Sequence, residues 1–354
     1  MTFTPILFAG SKLRKELIIN KMSKTLYIFT GAGNNFVVLD GRKADMTPFR
    51  HPSRITELCR RYRTDGLMIL TVPSCHSERP SCHSERPSCH SERSEESPAP
   101  YDFVMDFFNP DGSGGMMCGN GGRCIVAFAN YLGLKPASPD GTWHFLAPDG
   151  EHEATILDRA YTSQPSLRDP SRPDGWAPPS YTAEGGHGFG GISPVPKWTV
   201  RLKMIDVKGI SAVMDGYFLN TGTRHYVQFR DNIDAIDIEP EAKPIRWADE
   251  FQPEGTNVNF VEPSKDGLKV RTFEKGVEGE TLACGTGITA SAIAAYRHGI
   301  PDQVGDDSTR HARPGISYRL QCRRGDWLTV EFTPDGTGFK DVFLIGPAEL
   351  VSLE

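Results

Sequence analysis

Cys118 and Cys284 occur in matching surroundings. Each is followed by Gly-x-Gly, Gly119-Asn120-Gly121 in the first case and Gly285-Thr286-Gly287 in the second. Runs of small and apolar residues long enough for a helix come next, at residues 125–132 and 288–296. This pattern puts each thiol at a helix N-terminus. There, unpaired backbone N–H groups and the positive end of the helix dipole favour a thiolate and can hold a carboxylate. One cysteine so placed is ordinarily packing, but two in the same setting point to a pair. Two thiols facing each other across a cleft could take a proton from one side of a carbon and return one to the other.

The elements around these cysteines repeat one plan. In the first half, a strand-like run at 25–29 leads to Gly31-Ala32-Gly33-Asn34-Asn35-Phe36, a glycine turn that displays Asn34 and feeds a buried strand. Alone, Asn34 reads as a residue tolerated in a left-handed turn. A helix over 53–62 and a strand over 66–72 follow, then a strand over 101–108 that ends in Asn109-Pro110-Asp111-Gly112-Ser113. The helix over 122–132 is apolar on nearly every side, so it needs a sheet wrapped around it. Segments 143–146 and 154–157 flank a Pro-Asp-Gly turn and read as a hairpin.

The second half runs through a strand at 198–207, the segment 218–227, the segment containing Asn257, a strand at 268–273, Glu274-Lys275-Gly276 and Cys284. Strands at 317–322, 327–332 and 340–345 complete it. His225 could be a general base, a polar site residue or a satisfied core histidine, and the sequence favours the last. The expected fold is α+β, with two pseudo-symmetric domains, each a mostly antiparallel sheet around a buried central helix. The domains span 23–196 and 197–344, after an N-terminal extension at 1–22, and segment 345–354 returns to the first domain. Met22, just before the first strand, is a plausible alternative start.

Two stretches interrupt the plan. Residues 74–93 repeat Ser-Cys-His-Ser-Glu-Arg-Pro, twice in full and a third time with Ser94 in the proline's place. Cysteine beside histidine invites a metal site, but no Cys-x-x-Cys pair occurs and almost nothing aliphatic is present. Residues 74–98 therefore read as an inserted disordered loop. Residues 161–196, rich in Pro, Gly and Ser, read as a second loop near the domain boundary.

The chain has 354 residues, 38% hydrophobic and 24% charged, with a net charge of −6. These values suit a globular enzyme and argue against a nucleic-acid surface. No run approaches the roughly 18 apolar residues of a membrane span. The short apolar segment at 5–9 has its positive charges after it, where a secretory signal would carry them before. The eight cysteines, three of them within the repeat, do not form a secreted disulfide framework. A cytoplasmic setting is expected.

The segments GAGNNF (31–36), NPDGSGGMMCGNGGRC (109–124) and EKGVEGETLACGTG (274–287) resemble the signature segments of the diaminopimelate epimerases. The likeness spans residue 22 to the C-terminus apart from the two loops. Proline and hydroxyproline racemases share the paired cysteines but typically carry His where Asn120 stands, and phenazine-type isomerases of the fold lack the pair. The resemblance implies that Cys118 and Cys284 act as base and acid, without cofactor or metal, on LL-2,6-diaminopimelate. It implies substrate binding by Asn34, Asn109, Asn257, Glu274 and Lys275 and by the amides of Gly119, Asn120, Gly285 and Thr286. His225 and Glu274 would help to position the reacting end, and a homodimer fits the same picture.

Three positions depart from the family's habit. Lys275 stands where Arg is common and lacks its planar fork. Gly222-Thr223-Arg224-His225 replaces a Gly-Asn-Pro-His motif, and Asn35 replaces an Asp. These bear on substrate affinity more than on reaction type. The alternatives are a racemase of the same fold with another amino-acid substrate, a non-catalytic amino-acid-binding paralogue, and a redox or metal protein that uses the repeat.

Overall fold

The computed structural model describes residues 26–73, 101–115, 118–162, 195–302 and 315–353. The N-terminal extension, the heptapeptide repeat and nearly all of the second loop lie outside the described residues.

In the first half, β1 (Leu26–Gly31) and β2 (Asn34–Asp40) form a hairpin. Its two turn residues are both left-handed, Ala32 with φ 51° and Gly33 with φ 110°. This is the geometry whose twist matches the flanking strands. Asn34 is therefore not the left-handed residue that its type suggests. It is the first residue of β2.

Helix α1 (Pro52–Tyr62) carries the chain across to β3 (Gly66–Thr71), which lies parallel to β2. Next come β4 (Phe103–Phe108), helix α2 (Gly119–Tyr131), β5 (Thr142–Ala147), β6 (Gly150–Thr162) and β7 (Val195–Lys203). The second half repeats the order. Strands β8 (Ile210–Val213), β9 (Gly216–Asn220) and β10 (Arg224–Phe229) lead through α3 (Ile238–Arg246) to β11 (Asn257–Ser264), parallel to β10. Then come β12 (Gly267–Glu274), the short β13 (Gly279–Thr281), α4 (Gly285–His298), β14 (Ile316–Gln321), β15 (Trp327–Asp335) and β16 (Gly338–Leu353). Most pairings are antiparallel; the parallel ones fall at equivalent places, β2–β3 and β4–β5 in one half, β10–β11 and β12–β14 in the other.

The halves are not separate sheets. β16 is 16 residues long and belongs to both. Its first part pairs with β15, Gly346 to Glu349 pair with β7, and its end pairs with β1 from Glu349 to Leu353. The latter two pairings close the first sheet into a barrel around α2. The second sheet curls around α4, and a single bridge, Val207 to Phe339, links its ends.

Burial explains both central helices. Every residue of α2 from Gly119 to Ala129 is buried, with Phe128 packed on Tyr27 at 4.8 Å and Phe29 at 5.6 Å between ring centroids. α4 is lined with Ala, Ser and Thr. Its Thr289 and Ser291 hydroxyls donate to the carbonyls of Gly285 (2.9 Å) and Gly287 (2.7 Å), so no buried hydroxyl lacks a partner there. Helix α3 carries Pro240 and Pro244 and has no counterpart among the sequence expectations, since internal proline argues against helix. It is held by Ile238 and Ala242, buried against the core of the second half.

Candidate active site

Cys118 and Cys284 are the N-caps of α2 and α4, both with extended backbone. The helices begin at the glycine directly after each cysteine, ahead of the apolar runs that mark them in the sequence. Cys118 Sγ accepts a hydrogen bond from the Gly121 N–H at 3.3 Å, and Cys284 Sγ lies 3.4 Å from Thr286 Oγ1. Both side chains are half-buried on one interdomain cleft of about 1460 Å³.

The two helix N-termini meet head to head. A β-carbon placed on Gly285 would lie 3.4 Å from Gly119 Cα and 3.6 Å from Gly119 N. Leu344 of β16 covers both glycines, 2.8 Å from a β-carbon at 119 and 3.1 Å from one at 285. Two positive helix ends therefore converge on one spot, flanked by two thiols.

The thiols are unequal. Burial pushes Cys118 up from the ordinary thiol value, while the Gly121 N–H bond and the Arg123 guanidinium pull it back. Burial pushes Cys284 well above the ordinary value, and the facing Glu274 carboxylate pushes it further. Glu274 is itself raised by burial, against the Thr281 hydroxyl that donates to it and its contact with Cys284. Cys118 is thus the first to ionise, and Cys284 keeps its proton to higher pH.

Behind Cys284 lies a chain of hydrogen bonds whose polarity is determined as far as the His225 imidazole. Asn259 Nδ2 donates to the Tyr226 carbonyl at 3.0 Å, and its Oδ1 accepts from Thr272 Oγ1 at 2.9 Å. The amide therefore faces His225 Nδ1, 3.0 Å away, as a donor, and the imidazole proton resides on Nε2. Nε2 contacts Thr223 Oγ1 at 2.9 Å and Thr286 Oγ1 at 3.0 Å, and the Thr286 hydroxyl in turn lies 3.1 Å from Thr223 Oγ1 and 3.4 Å from Cys284 Sγ. Gly287 makes room for this packing: a β-carbon there would lie 2.5 Å from Asn259 Oδ1.

His225 is thus both a satisfied core histidine and a neighbour of the site. Burial lowers its pKa to about 3, so it is neutral at ordinary pH. Because its folded pKa lies below the unfolded value, its contribution to stability is full above about pH 6.5 and is lost as pH falls toward 3. The expected size is on the order of 5 kcal/mol. Thermal unfolding at pH 7 and pH 4 should show a larger acid loss for the parent than for His225→Gln; equal losses would contradict this assignment.

The remaining candidates are distributed unevenly. Asn34 and Asn120 contact each other through their amides, and Arg123 lies behind Asn120. Asn109 sits at the end of β4, its Nδ2 3.0 Å from Ser113 Oγ. Glu274 ends β12 beside Cys284. The Asn257 amide is engaged by the protein at both ends: Nδ2 donates to the Arg224 carbonyl at 2.8 Å, and Oδ1 accepts from the Lys275 N–H at 2.8 Å. In this conformation it ties together two loops that line the cleft, and Lys275 reaches solvent from one of them. Sequence reasoning passed over Arg123, Asn259 and Leu344. Arg123 had a legible signal, a lone charge inside an otherwise apolar helix. Asn259 and Leu344 had none, because only folding brings them to the thiols.

The paired sheets around two central helices define a class of fold that recurs in another solved structure. A structure from Pseudomonas aeruginosa described as a predicted epimerase superposes with a TM-score of 0.52 at 11% identity, over 92% of this chain and 96% of that one. At that identity the likeness is one of fold alone. The sequence goes further. It is 32% identical to the diaminopimelate epimerase of Flavobacterium psychrophilum over 331 residues, 92% of this chain and 97% of that protein. It is 32% identical to the diaminopimelate epimerase of Aquifex aeolicus over 326 residues, 89% and 91% of the two chains. The diaminopimelate epimerase family profile matches residues 217–313. This chain belongs to the diaminopimelate epimerase family.

Proposed function

We propose that this protein interconverts LL- and meso-2,6-diaminopimelate, a step in the supply of lysine and cell-wall precursors, by proton transfer between two thiols. The observation that carries the reading is the contact of Gly119 with Gly285, which sets two cysteine-capped helix ends against each other.

The chemistry follows from that contact. An amino-acid α-proton is very weakly acidic, so its removal needs the negative charge that moves onto the carboxylate to be stabilised. The amides of Gly119, Asn120, Gly285 and Thr286 belong to first helical turns, which have no intrahelical acceptor, and all four residues line the cleft. A carboxylate held there has one thiol on each side of its α-carbon. Cys118, the first to ionise, takes the α-proton as thiolate; Cys284, protonated and backed by Thr286 and Glu274, delivers a proton to the opposite face. The reverse reaction exchanges the roles.

Asn34, Asn109 and Lys275 are placed to hold the rest of the substrate, and Asn257 to shape the loops that carry Thr223 and Lys275. Among the described residues, no group of three His, Cys, Asp or Glu side chains could hold a metal ion, and no helix is long and apolar enough to cross a membrane. The reading places the protein in the cytoplasm and favours a homodimer, which sedimentation would test.

The experiment is deuterium incorporation at the α-carbon of LL-diaminopimelate in D₂O under reducing conditions. Exchange together with appearance of the meso isomer is expected. A folded, reduced protein that binds the substrate without exchange would be an amino-acid-binding paralogue. Exchange confined to another amino acid in a substrate panel would make it a racemase of different specificity.

A further inference from the structure

Arg123 is the one charged residue of α2, and it is completely buried. Its side chain folds back toward the helix N-terminus. Nη1 donates to the Gly119 carbonyl at 3.1 Å, Nη2 to Asn120 Oδ1 at 2.8 Å and Nε to the Pro347 carbonyl at 3.4 Å. All three acceptors are uncharged, and no ion pair joins Arg123 to a carboxylate among the described residues.

Satisfying the first-turn carbonyl does not require a guanidinium. The pseudo-symmetric position in the other helix is Thr289, five residues after its cysteine as Arg123 is after Cys118, and its hydroxyl binds the Gly285 carbonyl at 2.9 Å. What Arg123 adds is an obligatory donor aimed at Asn120.

The consequence passes down a short chain of amides. A guanidinium donates only, so Asn120 must face it with oxygen. Asn120 is 2% exposed and its NH₂ end then points at Asn34, where it donates to Oδ1. That leaves the NH₂ group of Asn34, a residue that lines the cleft, with no acceptor among the described residues. The two ends of an amide are nearly the same shape, so nothing about packing alone would choose between them. In a buried network each choice is enforced by the next.

We propose that Arg123 is a positioning residue for substrate binding: acting through Asn120, it sets Asn34 to present its NH₂ group, not its oxygen, to a substrate carboxylate. The inference rests on the reading of the cleft as a site for an amino dicarboxylate.

Three variants and one direct observation test it. Asn120→Asp still accepts from Arg123 but can only accept from Asn34, so Asn34 turns its oxygen toward the cleft. KM is expected to rise roughly 10- to 100-fold, the usual effect of losing a hydrogen bond to a charged group, with kcat much less affected. Asn120→Leu keeps the size, leaves Asn34 unbiased and raises KM less; Arg123→Lys still donates to Asn120 and raises it least. A packing role gives the opposite order for the two Asn120 variants. Asp would then be closest to the parent because it pairs with the guanidinium, and Leu worst because it leaves a buried donor unpaired.

Neutron diffraction from deuterium-exchanged crystals of the parent and of Asn120→Asp reads the Asn34 orientation directly. The ND₂ group is expected toward the cleft in the parent and toward residue 120 in the variant. An oxygen facing the cleft in the parent, or the packing order of KM values, overturns the proposal. The orientation needs no turnover, so its outcome is independent of whether diaminopimelate is the substrate.

Discussion

Cys118→Ala and Cys284→Ala are each expected to slow the interconversion of LL- and meso-diaminopimelate by roughly 10²- to 10⁴-fold, the range that one positioned acid or base supplies. The fold should survive both changes. Both residues are half-buried; Cys118 caps its helix with one hydrogen bond, whose loss costs about 1 kcal/mol, and Cys284 makes no capping bond to lose. Each variant keeps one thiol, so exchange at the α-carbon without inversion is the expected residual activity, seen with the isomer whose α-proton faces the surviving cysteine. Inversion by either variant at the parental rate would sink the two-thiol mechanism.

The pH profile carries the same asymmetry. Burial raises both thiols, so kcat/KM should climb only at alkaline pH, above the ordinary thiol range, as Cys118 ionises, and fall at still higher pH when Cys284 loses its proton. After burial, the Glu274 carboxylate is the largest influence holding Cys284 up. Glu274→Gln should therefore move the alkaline limb to lower pH and the acidic limb less far in the same direction, since the carboxylate is a smaller influence on Cys118. A larger shift of the acidic limb than of the alkaline one would assign the first ionisation to Cys284.

Gly119→Ala and Gly285→Ala are expected to lower kcat roughly 100-fold, because a misplacement near 1 Å has effects of that order on proton transfer. Neither glycine has the left-handed backbone that would itself forbid a side chain. The constraint is steric: a methyl at 119 meets Leu344 at 2.8 Å, and one at 285 meets Leu344 at 3.1 Å and Gly119 Cα at 3.4 Å. The added carbon would displace Leu344, which packs over both helix ends, and disturb the alignment of the thiols. Leu344→Ala should partly restore both variants, since that side chain is the closest contact of the added carbon at each position. Full activity in both single variants, measured as deuterium exchange and as meso product, would show that the head-to-head contact does not set the thiol spacing.

Local pattern and tertiary contact divide the account of this protein. The cysteines, the Gly-x-Gly steps and the apolar runs that follow are local, and helix capping and burial act within a few residues, so the two central helices and their strands were legible in the chain. Helix α3 was hidden because its prolines speak against a helix that packing nevertheless stabilises. The left-handed pair at Ala32 and Gly33 was misread because Asn is the more usual residue there.

The sequence by itself therefore determined the elements, the pairing of like with like and the identity of the reactive groups, since these depend on residue type and short spacing. Only the tertiary structure decided that one strand joins both halves, that Gly119 touches Gly285, and that Arg123 and Asn259 orient groups on opposite sides of the cleft. Those contacts join residues from separate segments, and the polarity of a buried amide depends on which neighbour folding brings to it.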